Sequence, residues 1–314
     1  GKLDTGPGLS GIHVSGKYAY VANMSTIAQL QVIDKTTLPL GPSSIVSSLK
    51  VTPVADTAVG SSIFYENGKV YLGLNEPSLD KEFFVIDVTT LPLTASSIKA
   101  SFETNTKVTS IIVKNGFAYL TVPDDPLTPL VKEQLRILDV SQADTGTITQ
   151  ANTFGPNPIT MSGQGEYLSR DGKTLYFGEG GANPGLEPDF FSLDVDPPGS
   201  ISQIDSKYID TSNDVTVNAI TVRENLAFMV TSDTNLGFQI WDLDDLTSIY
   251  ASLNIEQGAT GGMGCSGNLM FVAQRSNNAL QIIGPGPEDP VVNTTIYDNA
   301  TDLPTSSVTV GTTV

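Results

Sequence analysis

The residues of this chain most able to do chemistry are carboxylates that lie in irregular stretches between strand-like segments. Several carboxylate and carbonyl oxygens held together bind a hard cation such as Ca²⁺, so these stretches are candidates for a calcium site. A set of solvated acidic loops explains the same pattern, because no EF-hand spacing is present. The candidate binding residues on this acidic face are Glu76, Asp80, Glu82, Asp124, Asp125, Glu179, Glu187, Asp189 and Asp233.

A second set of carboxylates recurs at nearly constant spacing, each at the end of a short apolar segment. We interpret these residues as turn caps, in which the carboxylate accepts a hydrogen bond from the backbone N–H two residues later. A ring of carboxylates that forms one site is the alternative, but a residue present in every repeat serves the repeat. The five predicted turn caps are Asp34, Asp87, Asp139, Asp194 and Asp242.

The chain has one histidine and one cysteine, which limits nucleophilic and metal chemistry. A His-based triad would have to use His13, yet no Gly-x-Ser-x-Gly elbow accompanies it, so we expect His13 to be packed or hydrogen-bonded. Cys265 lies beside three glycines and is predicted to be a small buried thiol. The sequence therefore offers no catalytic residue and leaves any metal ligands unassigned.

The segments that position these residues recur six times along the chain with similar sequences. The fullest form is 16–21 (GKYAYV) followed by 30–34 (LQVID), and 68–72 with 84–88 repeats it. A tight glycine turn precedes each first segment, and alternating apolar residues predict strands with one buried face. Each repeat of about 50 residues is thus predicted to be a four-stranded antiparallel meander, whose strands we call A to D.

The spacing of the recurring aspartates, 53, 52, 55 and 48 residues, predicts an all-β fold of the β-propeller type. A single meander cannot bury both faces, and radial stacking solves this for every blade. We predict six blades within residues 1–290, with seven as the alternative. The C-terminal segment 291–314 would supply strands that close the propeller, begin a seventh blade or pair with another copy of the chain.

Two stretches resemble known repeat families. The hairpin at 171–176 (DGKTLY) resembles the A–B hairpin of surface-layer-type (YVTN-like) propellers. The pattern at 16–21 and 30–34 resembles the LVIVD-repeat propellers, which occur largely in bacterial and archaeal exported proteins. The resemblance extends over residues 9–284. It implies an interaction module at a cell surface or outside the cell more than it implies a defined enzyme.

Charge and hydropathy exclude several kinds of partner. The formal net charge is −18, from 34 acidic and 16 basic residues, so nucleic acid and anionic lipid are poor partners. No apolar run reaches the 18 residues expected of a membrane span. Cations, a protein or glycan at a cell surface, and copies of the chain itself through the C-terminal strand remain as candidate partners.

The sequence favours an exported, non-catalytic binding or structural module located extracellularly or at a cell surface. One alternative is a propeller hydrolase or lactonase, with Ca²⁺ as its cofactor held by carboxylates at the mouth of the channel. Another is a carbohydrate-binding propeller, which should expose aromatic rings on its loop face. Trp241, the only tryptophan, lies within a predicted strand C and argues against this last reading.

Overall fold

A computed structural model describes residues 3–53, 57–75, 81–123, 133–155, 162–169, 172–180, 188–209, 215–233, 235–255, 259–274 and 280–284. Within these residues the chain forms strands and three short 3₁₀ helices, Pro42–Ser44, Ala95–Ser97 and Ala143–Thr145. No helix in the described part of the chain is long and apolar enough to cross a membrane.

The first three sheets follow one another along the chain, each in the order of its strands. The first contains β1 (Leu9–Ser15), β2 (Tyr18–Asn23), β3 (Leu30–Asp34) and β4 (Ile45–Leu49). The second contains β5 (Gly60–Glu66), β6 (Lys69–Leu74), β7 (Phe83–Asp87) and β8 (Ile98–Phe102). The third contains β9 (Ser110–Lys114), β10 (Phe117–Thr121), β11 (Leu135–Asp139) and β12 (Thr149–Phe154).

The next three sheets repeat the same order. The fourth contains β13 (Ser162–Leu168), β14 (Thr174–Gly180), β15 (Phe190–Asp194) and β16 (Ser202–Lys207). The fifth contains β17 (Val217–Arg223), β18 (Leu226–Thr231), β19 (Phe238–Asp242) and β20 (Ile249–Leu253). The sixth contains β21 (Ala259–Ser266), β22 (Leu269–Gln274) and β23 (Leu280–Ile283).

The predicted fold class is confirmed, because six successive antiparallel meanders form a six-bladed β-propeller. The A–B hairpins close through the expected turn chemistry. In the second and third sheets, Asn67–Gly68 and Asn115–Gly116 all have positive φ, as a two-residue hairpin turn requires. The predicted closing or exchanged strands in 291–314 lie outside the described residues.

The chain divides into two compact units, and the fourth sheet contributes residues to both. The first unit comprises Gly1–Phe177 with Ser192–Asp205. Its core is built where one sheet packs on the next. Alternate strand residues face opposite neighbours, so Leu30 and Leu72 share one cluster while Val85 and Leu120 share another. Radial packing of meanders, the reason for predicting a propeller, is therefore present in this unit.

The second unit comprises Gly178–Phe191 with Ser206–Val314. Its described core lies between the fifth and sixth sheets, where Val230 and Phe238 pack with Met270, Val272 and Ile283. Strands β17 and β21, each the A strand of its sheet, lie side by side. The same packing principle thus operates in both units.

Close sheet packing makes one glycine a sensitive position. A Cβ on Gly73, in β6, would lie 2.7 Å from the Cβ of Val108 and still closer to the hydroxyl of Ser62. We expect Gly73→Ala to lower the free energy of unfolding by about 1–3 kcal/mol through overpacking. Gly41→Ala is the control, because nothing lies within 4 Å of its added Cβ. Urea denaturation measures both, and equal stability of the two variants would contradict this packing.

Candidate functional site

The structure describes four of the nine carboxylates predicted to form an acidic face: Glu82, Glu179, Asp189 and Asp233. Of these, Glu82, Glu179 and Asp189 are buried, and only Asp233 is partly exposed. The other five lie outside the described residues, and their role stays a prediction: Glu76, Asp80, Asp124, Asp125 and Glu187.

Glu82 lies directly before β7 and is completely buried. Its Oε2 accepts hydrogen bonds from the backbone N–H of Thr104 at 2.9 Å and of Asn105 at 3.1 Å. The Thr104 hydroxyl lies 3.2 Å from the same oxygen and donates its proton to the closer Thr106 carbonyl at 2.6 Å. Thr104 and Asn105 follow the last strand of the same sheet, so Glu82 anchors the chain where it leaves the blade.

The same anchor recurs in other sheets. Gln29 precedes β3, and its Oε1 accepts the backbone N–H of Val51 at 3.0 Å. Asp189 precedes β15, and its Oδ2 accepts the N–H of Ile209 at 2.9 Å. Gln134, before β11, is also fully buried, but neither atom of its side-chain amide makes a hydrogen bond among the described residues. This repeated anchor, the residue just before strand C, was not recognised in the sequence because its type changes between Gln, Glu and Asp.

The prediction that Glu82 and Asp189 belong to an exposed acidic face is therefore wrong. Backbone N–H groups that leave strand D need acceptors, and these buried carboxylates supply them. Glu179 is also removed from the surface, at the end of β14, where its N–H donates to the Asp189 carbonyl at 2.8 Å. Asp233 holds its own loop, since Oδ1 accepts the N–H groups of Asn235 and Leu236.

The five predicted turn caps all make the predicted hydrogen bond. In each, Oδ1 of the aspartate accepts the backbone N–H two residues later, at 2.9 to 3.0 Å. The hydroxyl of Thr36 and then its N–H lower the pKa of Asp34, and Thr89 does the same for Asp87. These aspartates, Asp34, Asp87, Asp139, Asp194 and Asp242, are turn-forming groups.

Three further candidate residues have structural surroundings. His13 packs edge-on against Phe64, with ring centroids 4.8 Å apart, and burial lowers its pKa, which confirms the packed reading. Trp241 is 3% exposed, and its Nε1 donates to Gln239 Oε1 at 2.8 Å.

Cys265 is exposed, so the predicted buried thiol is wrong. It lies next to the hairpin pair Ser266–Leu269, where β21 is solvated.

A cavity of about 150 Å³ lies between the hairpin ends of the third and fourth sheets. Its two lysines are engaged by protein oxygens. Lys173 Nζ lies 3.3 Å from Asp196 Oδ2, and Lys114 Nζ donates to the Ser169 carbonyl at 3.2 Å. The lining holds neither a pair of carboxylates nor a nucleophile with a base. Among the described residues, no three His, Cys, Asp or Glu side chains gather as a metal site.

Sequence reasoning also missed a buried acid in the fourth sheet, Glu166, which is 7% exposed. The sequence signal for Glu166 is a charged residue at a position that is apolar in the other repeats. It is visible when the repeats are aligned on the last paired residue of each A–B hairpin. In the fourth sheet that residue is Ser169, whose N–H donates to the Thr174 carbonyl at 2.8 Å. Glu166 lies three residues earlier. The equivalent residues in the other sheets are Ile12, Ile63, Ile111, Ile220 and Met263.

Comparison with known sequences finds an LVIVD repeat at residues 9–34, the segment that forms β1, β2 and β3. The predicted resemblance is thereby confirmed, and the chain is a β-propeller that carries this repeat. Among proteins of curated function, none matches the sequence significantly.

Solved structures show the same fold at low sequence identity. The β-propeller domain of Cps50 (Swd1) from Myceliophteria thermophila is 10% identical over 88% of this chain and 84% of its own, with a TM-score of 0.59. A chain of the mitotic checkpoint complex is 12% identical over 88% and 76%, with a TM-score of 0.60. A chain of a nidogen/laminin complex is 8% identical over 86% and 89%, with a TM-score of 0.53. These likenesses establish the fold alone.

The anchor role of Glu82 is tested by changing its hydrogen-bonding capacity. We expect Glu82→Gln to retain the fold, because Gln29 performs the same task in the first sheet. Glu82→Ala leaves buried N–H groups without an acceptor, at a cost of about 1–3 kcal/mol for each. Chemical denaturation of both variants gives the comparison. Equal loss of stability in Gln and Ala variants would show that hydrogen bonding to this oxygen is unimportant.

Proposed function

We propose that this LVIVD-repeat β-propeller is an exported, non-catalytic module that recognises a protein at a cell surface or in an extracellular assembly. The observation that carries the proposal is that the recurring polar side chains form hydrogen bonds with the backbone. The five turn-cap aspartates and the anchors Gln29, Glu82 and Asp189 all accept backbone N–H groups. Polar groups bound in this way support a rigid scaffold and are poorly suited to catalysis.

Recognition is then left to the segments in which the repeats differ. Long connections on a rigid scaffold are where binding residues usually lie. We assign binding to the acidic B–C stretches that carry Glu76, Asp80, Asp124, Asp125 and Glu187. With a net charge of −18, the chain favours encounter with a cationic surface, and this attraction weakens as salt is added.

The sequence resemblance supports export and a surface location, since LVIVD-repeat and surface-layer-type propellers occur largely in exported proteins. Propeller folds commonly mediate protein interactions, which supports a protein partner. A glycan partner has less support here. The Trp241 ring is 3% exposed and lies under Lys207 Nζ, 5.2 Å from the ring centroid, so it offers no open stacking surface to a sugar.

Binding to the surface of intact cells tests the proposal. Fluorescently labelled protein is added to cells of the species that encodes it, and flow cytometry measures retention at rising salt. We expect saturable binding that falls roughly tenfold or more when the five loop acids are neutralised together (E76Q, D80N, D124N, D125N and E187Q).

A matched control neutralises five acids at other positions (D4N, D144N, D205N, E224Q and D244N). It removes the same formal charge and should leave most of the binding. Absence of saturable binding would count against a surface partner. Equal losses in the two variants would assign the interaction to net charge and not to the B–C stretches.

Calcium titration separates this proposal from a Ca²⁺-dependent hydrolase or lactonase. A non-catalytic module that recognises a protein needs no bound metal, so we expect no binding heat below millimolar Ca²⁺ after chelator treatment. Isothermal titration calorimetry provides the measurement. A saturating heat at micromolar Ca²⁺ that disappears in the five-acid loop variant would instead support the metal-dependent enzyme.

A further inference from the structure

Glu166 lies in the seam where β13 packs against β9 and β10 of the preceding sheet. The first and second sheets show the equivalent contact at another seam. There, a Cβ placed on Gly11 would be 3.2 Å from Ile63 Cγ2, so a small residue on one A strand faces an isoleucine on the next. Ser110 and Glu166 are the equivalents of Gly11 and Ile63. The third and fourth sheets therefore put a carboxyl group where the aliphatic side chain belongs.

The surroundings of Glu166 disfavour its ionised form. The residue is 7% exposed, and neither carboxyl oxygen accepts a hydrogen bond of good geometry. Burial raises its pKa well above the ordinary 4.5, and the nearby Ser110 hydroxyl opposes this only in part. An unpaired carboxylate would be costly in this position, so the neutral acid is the form compatible with the packed seam.

No positive charge among the described neighbours compensates Glu166. Tyr119 faces it from β10, and burial first, then Asp196 and Glu166, raise the pKa of that phenol to about 12. On β9, Lys114 points to the hairpin end and donates to the Ser169 carbonyl. In its own sheet the adjacent Tyr167 lies near Tyr176, with ring centroids 6.5 Å apart.

We propose that Glu166 makes the seam between the third and fourth sheets a proton-dependent joint, which is closed while the carboxyl is neutral and loosens when it ionises. An ionised Glu166 has two ways to recover solvation: water enters the seam, or β13 separates from β9 and β10. Either change weakens the packing at this one seam, because the aliphatic residues at the equivalent positions elsewhere do not titrate.

The direction of the pH effect follows from where the proton is held. The folded protein keeps a proton on Glu166 that the unfolded chain releases near pH 4.5. The stabilising contribution of the neutral acid is therefore complete below pH 4.5 and is lost as the pH rises through the folded-state pKa. A joint of this kind is firm in an acidic medium and looser in a neutral or alkaline one.

The test compares the full chain with Glu166→Gln and Glu166→Ile from pH 4 to pH 9. Glutamine removes the titration while keeping the shape, and isoleucine restores the residue used in four other sheets. We expect hydrogen exchange of β9 and β13 amides in the wild type, corrected for intrinsic rate, to rise roughly tenfold per pH unit within the titration window. Both variants should abolish that rise and melt a few degrees higher than wild type at pH 8.

Glu224→Gln is the matched control, because it removes one exposed acid from the hairpin of the fifth sheet and leaves the seam intact. It should reproduce the wild-type pH profile. The proposal is overturned if wild type and Glu166→Gln share one profile. It is also overturned if the exchange that Glu166→Gln suppresses is spread evenly over all sheets, since the effect would then be global and not local to this joint.

Discussion

The first, second and fourth sheets of this propeller meet one requirement in the same way: the backbone N–H groups that leave the last strand must find acceptors inside the protein. Buried N–H groups without partners are costly, and the chain at this point no longer pairs with a strand. Gln29, Glu82 and Asp189 meet the requirement from the position just before strand C, about 20 residues earlier in sequence. Each anchor therefore links the start of strand C to the chain that follows strand D of the same sheet.

The anchors explain why sequence reasoning succeeded for one set of carboxylates and failed for another. The cap made by Asp34 or Asp87 is local, with donor and acceptor two residues apart, so spacing alone identifies it. The partner of Glu82 is 22 residues away and comes within reach only when β7 and β8 pair. An acid beside a predicted loop therefore looks solvent-exposed in sequence even when the fold buries it.

The number and order of strands followed from glycine turns and alternating apolar residues, because both are short-range signals that each repeat restates. The six-bladed arrangement followed from their period. Exposure was harder to predict at the ends of strands. Cys265 was expected inside because small thiols usually are, yet β21 is solvated beside its hairpin. A residue whose type differs from that of its equivalents in the other repeats can be found from the sequence, and Glu166 is the clearest example.

Repetition makes that departure informative. Ile63, Ile111 and Ile220, at three of the equivalent positions, are buried or partly buried against the core, so an apolar side chain satisfies the packing there, whereas Ile12 in the first sheet is 61% exposed. Among the described residues a glutamate there meets the Ser110 hydroxyl but no cation, so it contributes less to stability than isoleucine would once it ionises. Packing supplies no reason for an acid at this position. Glutamate, unlike isoleucine, can lose a proton. A role for Glu166 therefore has to be sought in its titration.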